Sequence, residues 1–240
     1  MPEVVAHGRR PDLFGCGYCH LPNGFGRPEN SSVVGLSVAY IVQQMADFKN
    51  GTRRSAEPDM GPPAAMIRVA QAATDEEVRV AAEYFASIPT APWIRVVETE
   101  TVPEIVVSRG MLVPVEGGET EPIGRRIIEL PEDLARTELR DAASGFVAYV
   151  PRGSTARGEA IVEGETGAVA CGVCHGSGLA GVGPVPALAG RSPSYTVRQL
   201  YDLQSGVRDG LWADLMKDVV ATLSLDDMIA IAAYTASLDP

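Results

Sequence analysis

The chain has four cysteines, and all of them lie in two copies of one pentapeptide, CGYCH at residues 16–20 and CGVCH at residues 171–175. Cysteines three apart on a helical turn share a face, so both can form thioethers to one porphyrin while the adjacent imidazole points at the iron. The spacing therefore assigns Cys16 and Cys19 to covalent attachment of one haem, with His20 as its proximal ligand. It assigns Cys171, Cys174 and His175 to the same roles at a second haem. A zinc ribbon would bring its second cysteine pair within roughly 20 residues of the first, and Cys171 lies far beyond that reach of Cys19. A thioredoxin-like pair needs a strand–helix–strand frame, and a disulfide inside each motif would leave the following histidine unexplained in both copies.

Six-coordinate iron needs a second axial donor, and the only histidine outside the motifs is His7. A methionine thioether is the natural choice, since it favours ferrous iron and raises the reduction potential. Met66 and Met216 are the methionines that coincide when the two halves are aligned, and both precede a helix-capping residue by the same interval. Met60, in the extra stretch "SAEPDMGPP" of the first half, competes with Met66. Met45 and Met228 fall on apolar helix faces, and Met111 has no counterpart. Around the haems, Tyr40 and Tyr195 are placed to donate to a propionate and Arg191 to pair with one. An amphipathic tyrosine at a helix start and a solvated arginine fit these residues equally. The carbonyl of Pro186 is placed to accept the proximal imidazole N–H and fix its tautomer, whereas the first copy has Ser31 at the aligned position.

The elements that hold these groups are written twice. "AYIVQQMADFKNGTR" (39–53) aligns with "SYTVRQLYDLQSGVR" (194–208), with Tyr40, Val42, Gln44, Asp47, Gly51 and Arg53 identical to Tyr195, Val197, Gln199, Asp202, Gly206 and Arg208. Residues 66–87 align with 216–237. Apolar residues at 42, 45 and 48, mirrored at 197, 200 and 203, predict a helix in each copy that stops at Gly51 or Gly206. Thr74 with Glu77, and Ser224 with Asp227, have the spacing of a capping box that opens a closing helix. Ser154 or Thr155 is the expected cap of a helix leading into the second motif. Ahead of Cys16, where Pro11 and two glycines intervene, the first helix is expected to be short or missing. Residues 90–150 match neither copy. Their Val- and Ile-rich runs, "IRVVETETVPEIVV", "RRIIELPE" and "GFVAYVP", broken by Pro and Gly, predict short strands in an ordered spacer.

The expected fold is mainly α: two helical domains in tandem, residues 1–89 and 151–240, joined by the long extended, β-leaning segment 90–150. The motif near the start of each copy, the Gly-x-x-x-x-Tyr helix, the lone Met and the closing "AAEYFAS"/"AAYTAS" helix resemble class I c-type cytochromes. The duplication is similar to the tandem di-haem members of the bacterial periplasm. The resemblance covers 16–89 and 158–240 and leaves 90–150 outside. It implies a motif at the end of each module's first helix, with the closing helix packed across that helix.

With both axial positions filled there is no place for oxygen, peroxide or substrate to bind, so the expectation is electron transfer rather than catalysis. The resemblance implies a periplasmic relay of single electrons from a dehydrogenase or quinol-oxidising complex to a terminal acceptor such as an oxidase or another cytochrome. The alternative is a di-haem peroxidase or thiosulfate-oxidising enzyme, in which one haem is catalytic. A net charge of -11, spread over every third of the chain, argues against nucleic acid and fits cationic partners and simple solubility equally. No apolar run reaches the roughly 18 residues of a membrane span, so a soluble protein is expected, with any export signal lying outside this numbering.

Overall fold

The computed structural model describes residues 1–167 and 169–240. In chain order its elements begin with helix α1 (Glu3–Ala6), strands β1 (Gly8–Arg9) and β2 (Leu13–Phe14), and helices α2 (Gly17–His20), α3 (Val38–Asn50), α4 (Gly61–Ala72) and α5 (Asp75–Ala86). Strands β3 (Ile94–Thr99), β4 (Thr101–Pro103), β5 (Ile105–Ser108), β6 (Met111–Pro114), β7 (Thr120–Pro122) and β8 (Ile128–Pro131) follow, then helix α6 (Leu134–Glu138) and strand β9 (Phe146–Pro151). The chain closes with helices α7 (Ser154–Val162), α8 (Gly172–His175), α9 (Pro193–Gln204), α10 (Asp214–Val220) and α11 (Leu225–Ser237).

Two compact units emerge. The first comprises Met1–Thr90, Gly181–Ala187 and Arg198–Thr222, and the second Ala91–Ala180, Leu188–Val197 and Leu223–Pro240. These bounds differ from the 1–89, 90–150 and 151–240 drawn from the repeat. Part of the second copy folds with the first, and the β-rich segment folds with helices of the second, because packing follows proximity in space rather than repeat boundaries.

In the first unit, α3 is capped by the Ser37 side chain, which accepts from the Tyr40 N–H, and it stops at Gly51 in the left-handed region at φ 75°. Without a Cβ, glycine adopts that conformation at little cost. Helix α5 opens with the capping box anticipated from Thr74 and Glu77. Helix α3 packs on α4 and α5, and α1 on α2 and α5. Val5, Ala81 and Phe85 form a core against which Cys16, Val33 and Ile41 pack. The first helix is indeed short: α1 has four residues.

The second unit is built around β9, which pairs in parallel with β3 and antiparallel with β8. Strands β4 and β7, and β5 and β6, form separate antiparallel pairs. Val102, Ile123, Ile128 and Leu130 make its strand-side core. Helix α11 lies across α7 and also packs on β3. The α7–α11 crossing is close enough that a Cβ on Gly158 would sit 2.0 Å from the Ala230 carbonyl oxygen, so only glycine fits there.

Two carboxylates of the β segment cap helices of the second copy. Glu98 on β3 accepts from the N–H groups of Gly153 (2.9 Å) and Thr155 (2.8 Å) and from the Thr155 hydroxyl. Thus the cap of α7 is not Ser154 or Thr155, as the local sequence suggested. Its N-cap residue is Gly153, and the acceptor arrives from another strand. Glu129 on β8 likewise accepts from the Ser192 hydroxyl (2.7 Å) and from both the N–H (2.8 Å) and the hydroxyl of Ser194, at the start of α9. Among the described residues no single helix is long and apolar enough to cross a membrane.

Candidate functional site

Each motif occupies a single helical turn with the same internal bond. The His20 N–H donates to the Cys16 carbonyl at 3.0 Å, and the His175 N–H to the Cys171 carbonyl at 2.9 Å. This i to i+4 closure puts the first cysteine and the histidine on one face, with the second cysteine beside them. Among the described residues none of the four cysteines forms a disulfide. Burial pushes the Cys16 thiol up to about 11. The Cys171 thiol is also raised, by burial first and by the neighbouring Glu163 carboxylate to a smaller degree.

His20 is buried, with its ring edge-on to Phe85 at 6.3 Å between centroids. Its Nδ1 lies 2.7 Å from the carbonyl oxygen of Ser31. A carbonyl can only accept, so Nδ1 carries the proton and Nε2 keeps its lone pair for a metal. Burial lowers the imidazole's pKa, partly offset by the Ser31 bond, so the ring is neutral. The first copy therefore has the fixed tautomer that its lack of a proline had left without a visible source. The main chain supplies it, whatever the side chain at 31. Two thiols and one neutral, oriented imidazole on a single turn are the donor set that haem c requires, and the first motif fits that group.

The chain leaves the two motifs in the same unusual conformation. Gly176 follows His175 at φ 79° and ψ 172°, and Leu21 follows His20 at φ 60° and ψ 159°. That region is almost confined to glycine and costs a residue with a Cβ about 1–3 kcal/mol. Leu21 is held there while buried.

Met66 lies within α4, half-buried, and Met60 is the extended N-cap residue of the same helix. Cys16, Cys19, His20, Tyr40, Met60 and Met66 all belong to the first unit, as do Pro186 and Met216; Cys171, Cys174, His175, Arg191 and Tyr195 belong to the second. Met216 is half-buried in α10. His175 is buried, and so is Arg191, contrary to the solvated arginine that the sequence equally allowed. Tyr195 sits in the first turn of α9, its N–H donating to the Ser192 hydroxyl at 3.2 Å. Met228 is core, at 1% exposure.

Within the first unit the repeat-identical polar residues gather into one cluster. The Arg53 guanidinium donates to Gln44 Oε1 (2.7 Å) and Gln199 Oε1 (2.8 Å). The Arg208 guanidinium donates to the same two oxygens, at 3.0 Å and 3.2 Å respectively, and to the Tyr40 hydroxyl at 2.9 Å. Tyr40 accepts there and keeps its own proton for another acceptor. Asp47 accepts from Gln43 (2.8 Å) and Gln44 (3.0 Å), and Asp202 from the Ala56 N–H (2.9 Å). Burial raises the Asp202 pKa against the opposing pull of Arg53, Arg208 and Arg198. The identities at these positions were visible in the sequence; that each copy's arginine would bond the other copy's glutamine as well as its own was not.

No protein-family model matches the chain. It is 32% identical over 140 residues to cytochrome c4 of Stutzerimonas stutzeri, covering 50% of this chain and 65% of that protein. It is 29% identical to cytochrome c4 of Azotobacter vinelandii, covering 93% of this chain and 84% of that one. A protein of Stutzerimonas stutzeri named thiosulfate dehydrogenase electron acceptor is 25% identical over 96% of this chain and 82% of its own length. Among solved structures, the thiosulfate dehydrogenase TsdBA of Marichromatium purpuratum superposes with a TM-score of 0.67 at 23% identity, over 99% of this chain but 39% of that chain. Cytochrome c4 of Acidithiobacillus ferrooxidans superposes at 0.59 and 20% identity, over 93% and 98%. The structural matches show the fold, that of cytochrome c4-like proteins.

Proposed function

We propose that this chain, similar to cytochromes c4, is a di-haem c-type cytochrome, an electron carrier with two covalently bound haem c groups that relays single electrons in the periplasm between a dehydrogenase or quinol-oxidising complex and a terminal acceptor. His20 and Met66 would hold the first iron, and His175 and Met216 the second. Residues 1–89 and 151–240 act as the two haem modules, with 90–150 as the ordered segment between them in sequence. The haem iron supplies one-electron exchange between its ferric and ferrous states.

The chain's own residues bind and orient the group and keep water away from it. Cys16 is packed against Val5, Ala81 and Phe85, so the attachment point is dry and reorganises little. The Ser31 carbonyl holds the His20 proton on Nδ1 and aims Nε2. This bond is the observation that carries the reading. A thiol pair meant for disulfide exchange has no use for a buried neutral imidazole with a fixed tautomer one residue away. The relative named as the electron acceptor of a thiosulfate dehydrogenase supports a dehydrogenase as the electron donor. With a methionine closing each iron, no coordination position is left for peroxide or thiosulfate, which favours a carrier over a di-haem enzyme.

The test is a pyridine-haemochrome assay on protein matured in a haem-c-competent host, with two haems per chain expected. Met66→Ala and Met216→Ala should each remove about half of the far-red sulfur-to-iron band of the ferric protein, whereas Met60→Ala should leave it intact. Fewer than two haems, or a band indifferent to both ligand variants, would overturn the reading.

A further inference from the structure

The hairpin of β5 and β6 lies in the segment that neither repeat copy accounts for, and the haem reading gives it no task. Arg109 and Gly110 make its two-residue turn at φ 51° and φ 80°, and a turn with both φ values positive is the kind whose twist matches the strands and fixes their register. In that register Val106 stands opposite Val113 and Ser108 opposite Met111. Met111 and Val113 are buried, whereas Val106 is 50% and Val107 69% exposed. Neighbouring strand residues point to opposite faces, so a strand exposed on both is the border of its sheet. Among the described residues β5 pairs with β6 alone. The Val115 N–H donates to the Glu104 carbonyl at 2.8 Å, and the Glu104 N–H to the Glu119 carbonyl at 2.8 Å. By the alternation of an antiparallel pair, Glu104, Val106 and Ser108 turn their main chain inward to that side, and Ile105 and Val107 turn their N–H and C=O groups outward.

Open edges are ordinarily blunted by a lysine, a proline or a bulge within the strand. Ile105–Ser108 has none of these and carries no charge. Its flanks are of opposite sign, Glu104 before it and Arg109 after it. Such a strand is complementary to itself reversed. With Val106 facing Val106 across a two-fold axis, Ile105 and Val107 of one copy exchange hydrogen bonds with Val107 and Ile105 of the other, so every outward N–H finds a carbonyl. The same register brings the acidic end of each strand beside the basic end of its mate. We propose that β5 is a docking edge for a second copy of this chain, joining the two hairpins into one continuous antiparallel sheet. Nothing in this pairing depends on the haems. The strands are short, so the contact is far smaller than the roughly 1,600 Å² of a standard interface, and the dimer forms in the micromolar rather than the nanomolar range. The copies repel at long range through a net charge of -11 each. At physiological salt that field is screened beyond about 8 Å, and the contacts across the edge lie inside that distance.

Sedimentation velocity of the full holoprotein at physiological salt, from about 5 to about 500 µM, should show monomer passing to dimer. Val106→Lys and Val106→Glu each set like charges face to face at the axis and leave the pairing with β6 alone. Either variant by itself should weaken dimerisation about 10-fold, and an equimolar mixture of the two should recover it, because opposite charges then meet. Recovery on mixing also shows that both variants are folded. Val107→Pro, which deletes an outward N–H and no bond to β6, should stay monomeric over the same range. A monomer at every concentration, a wild-type dimer constant in either Val106 variant or in Val107→Pro, or a mixture that stays monomeric would overturn the proposal.

Discussion

Ser31 and Leu21 flank the His20 imidazole, and the backbone of each is what is unusual there. The carbonyl of residue 31 orients the ring, and a residue of any type would offer that acceptor. Leu21 is the reverse case: its backbone sits where glycine belongs, at φ 60°. Replacing it with alanine removes buried apolar contacts and retains the strain, whereas glycine removes the contacts and sheds the strain. Leu21→Gly is therefore expected to be more stable than Leu21→Ala by about 1–2 kcal/mol, the opposite of the usual order. Denaturant melts of the two holoproteins check this. Equal stabilities would mean that the backbone relaxes once the leucine is gone. The paired motifs, each on one helical turn, are legible at this scale because they depend on spacing. The carbonyl acceptor and the strained residue are not, since neither leaves a side-chain signature.

Helix ends divide by where their acceptors come from. The capping boxes at Thr74 and Ser224 were readable because donor and acceptor lie three residues apart. The caps supplied by Glu98 and Glu129 were not, because the carboxylate stands on a strand distant in sequence from the helix it serves. The β segment, read as a spacer, thereby acquires a specific task in completing α7 and α9. Glu98's carboxyl is held below its ordinary range, chiefly by the Thr155 hydroxyl and against the opposing effect of burial. A folded-state value below the unfolded one gives stabilisation that is full above about 4.3 and lost as pH falls through the folded value. Glu98→Ala should cost about 1 kcal/mol at neutral pH, with the gap to wild type closing in acid. Thermal melts at pH 7 and pH 3 measure it. Gly158→Ala should cost about 1–3 kcal/mol, because its methyl meets the Ala230 main chain, which cannot turn aside. Gly61→Ala, where a Cβ meets nothing within 4 Å, should be neutral or slightly stabilising in the same assay.

For the molecule as a whole, the decisive arrangement is the polar cluster of Gln44, Gln199, Arg53 and Arg208. Both guanidinium groups bond the same pair of amide oxygens, so their contributions cannot be independent. Arg53→Ala and Arg208→Ala should each destabilise by about 1–3 kcal/mol, and the double variant by clearly less than their sum. A double-mutant cycle in urea reads the difference; strict additivity would mean that the oxygens are not shared in solution. The amphipathic stripes, glycine stops and duplication announced two helical copies. The sharing of hydrogen-bond partners between them did not announce itself, since identical residues in a repeat read the same whether each bonds only within its own copy or with its counterpart too.

That sharing has an evolutionary corollary. A duplicated gene ordinarily leaves one copy at liberty to drift while the other keeps the job. Here a change to an arginine or glutamine in either half is felt by the other at once, so the two halves inherit a common fate. A homologous half grafted from another species would succeed only if it carried the matching guanidinium and amide together.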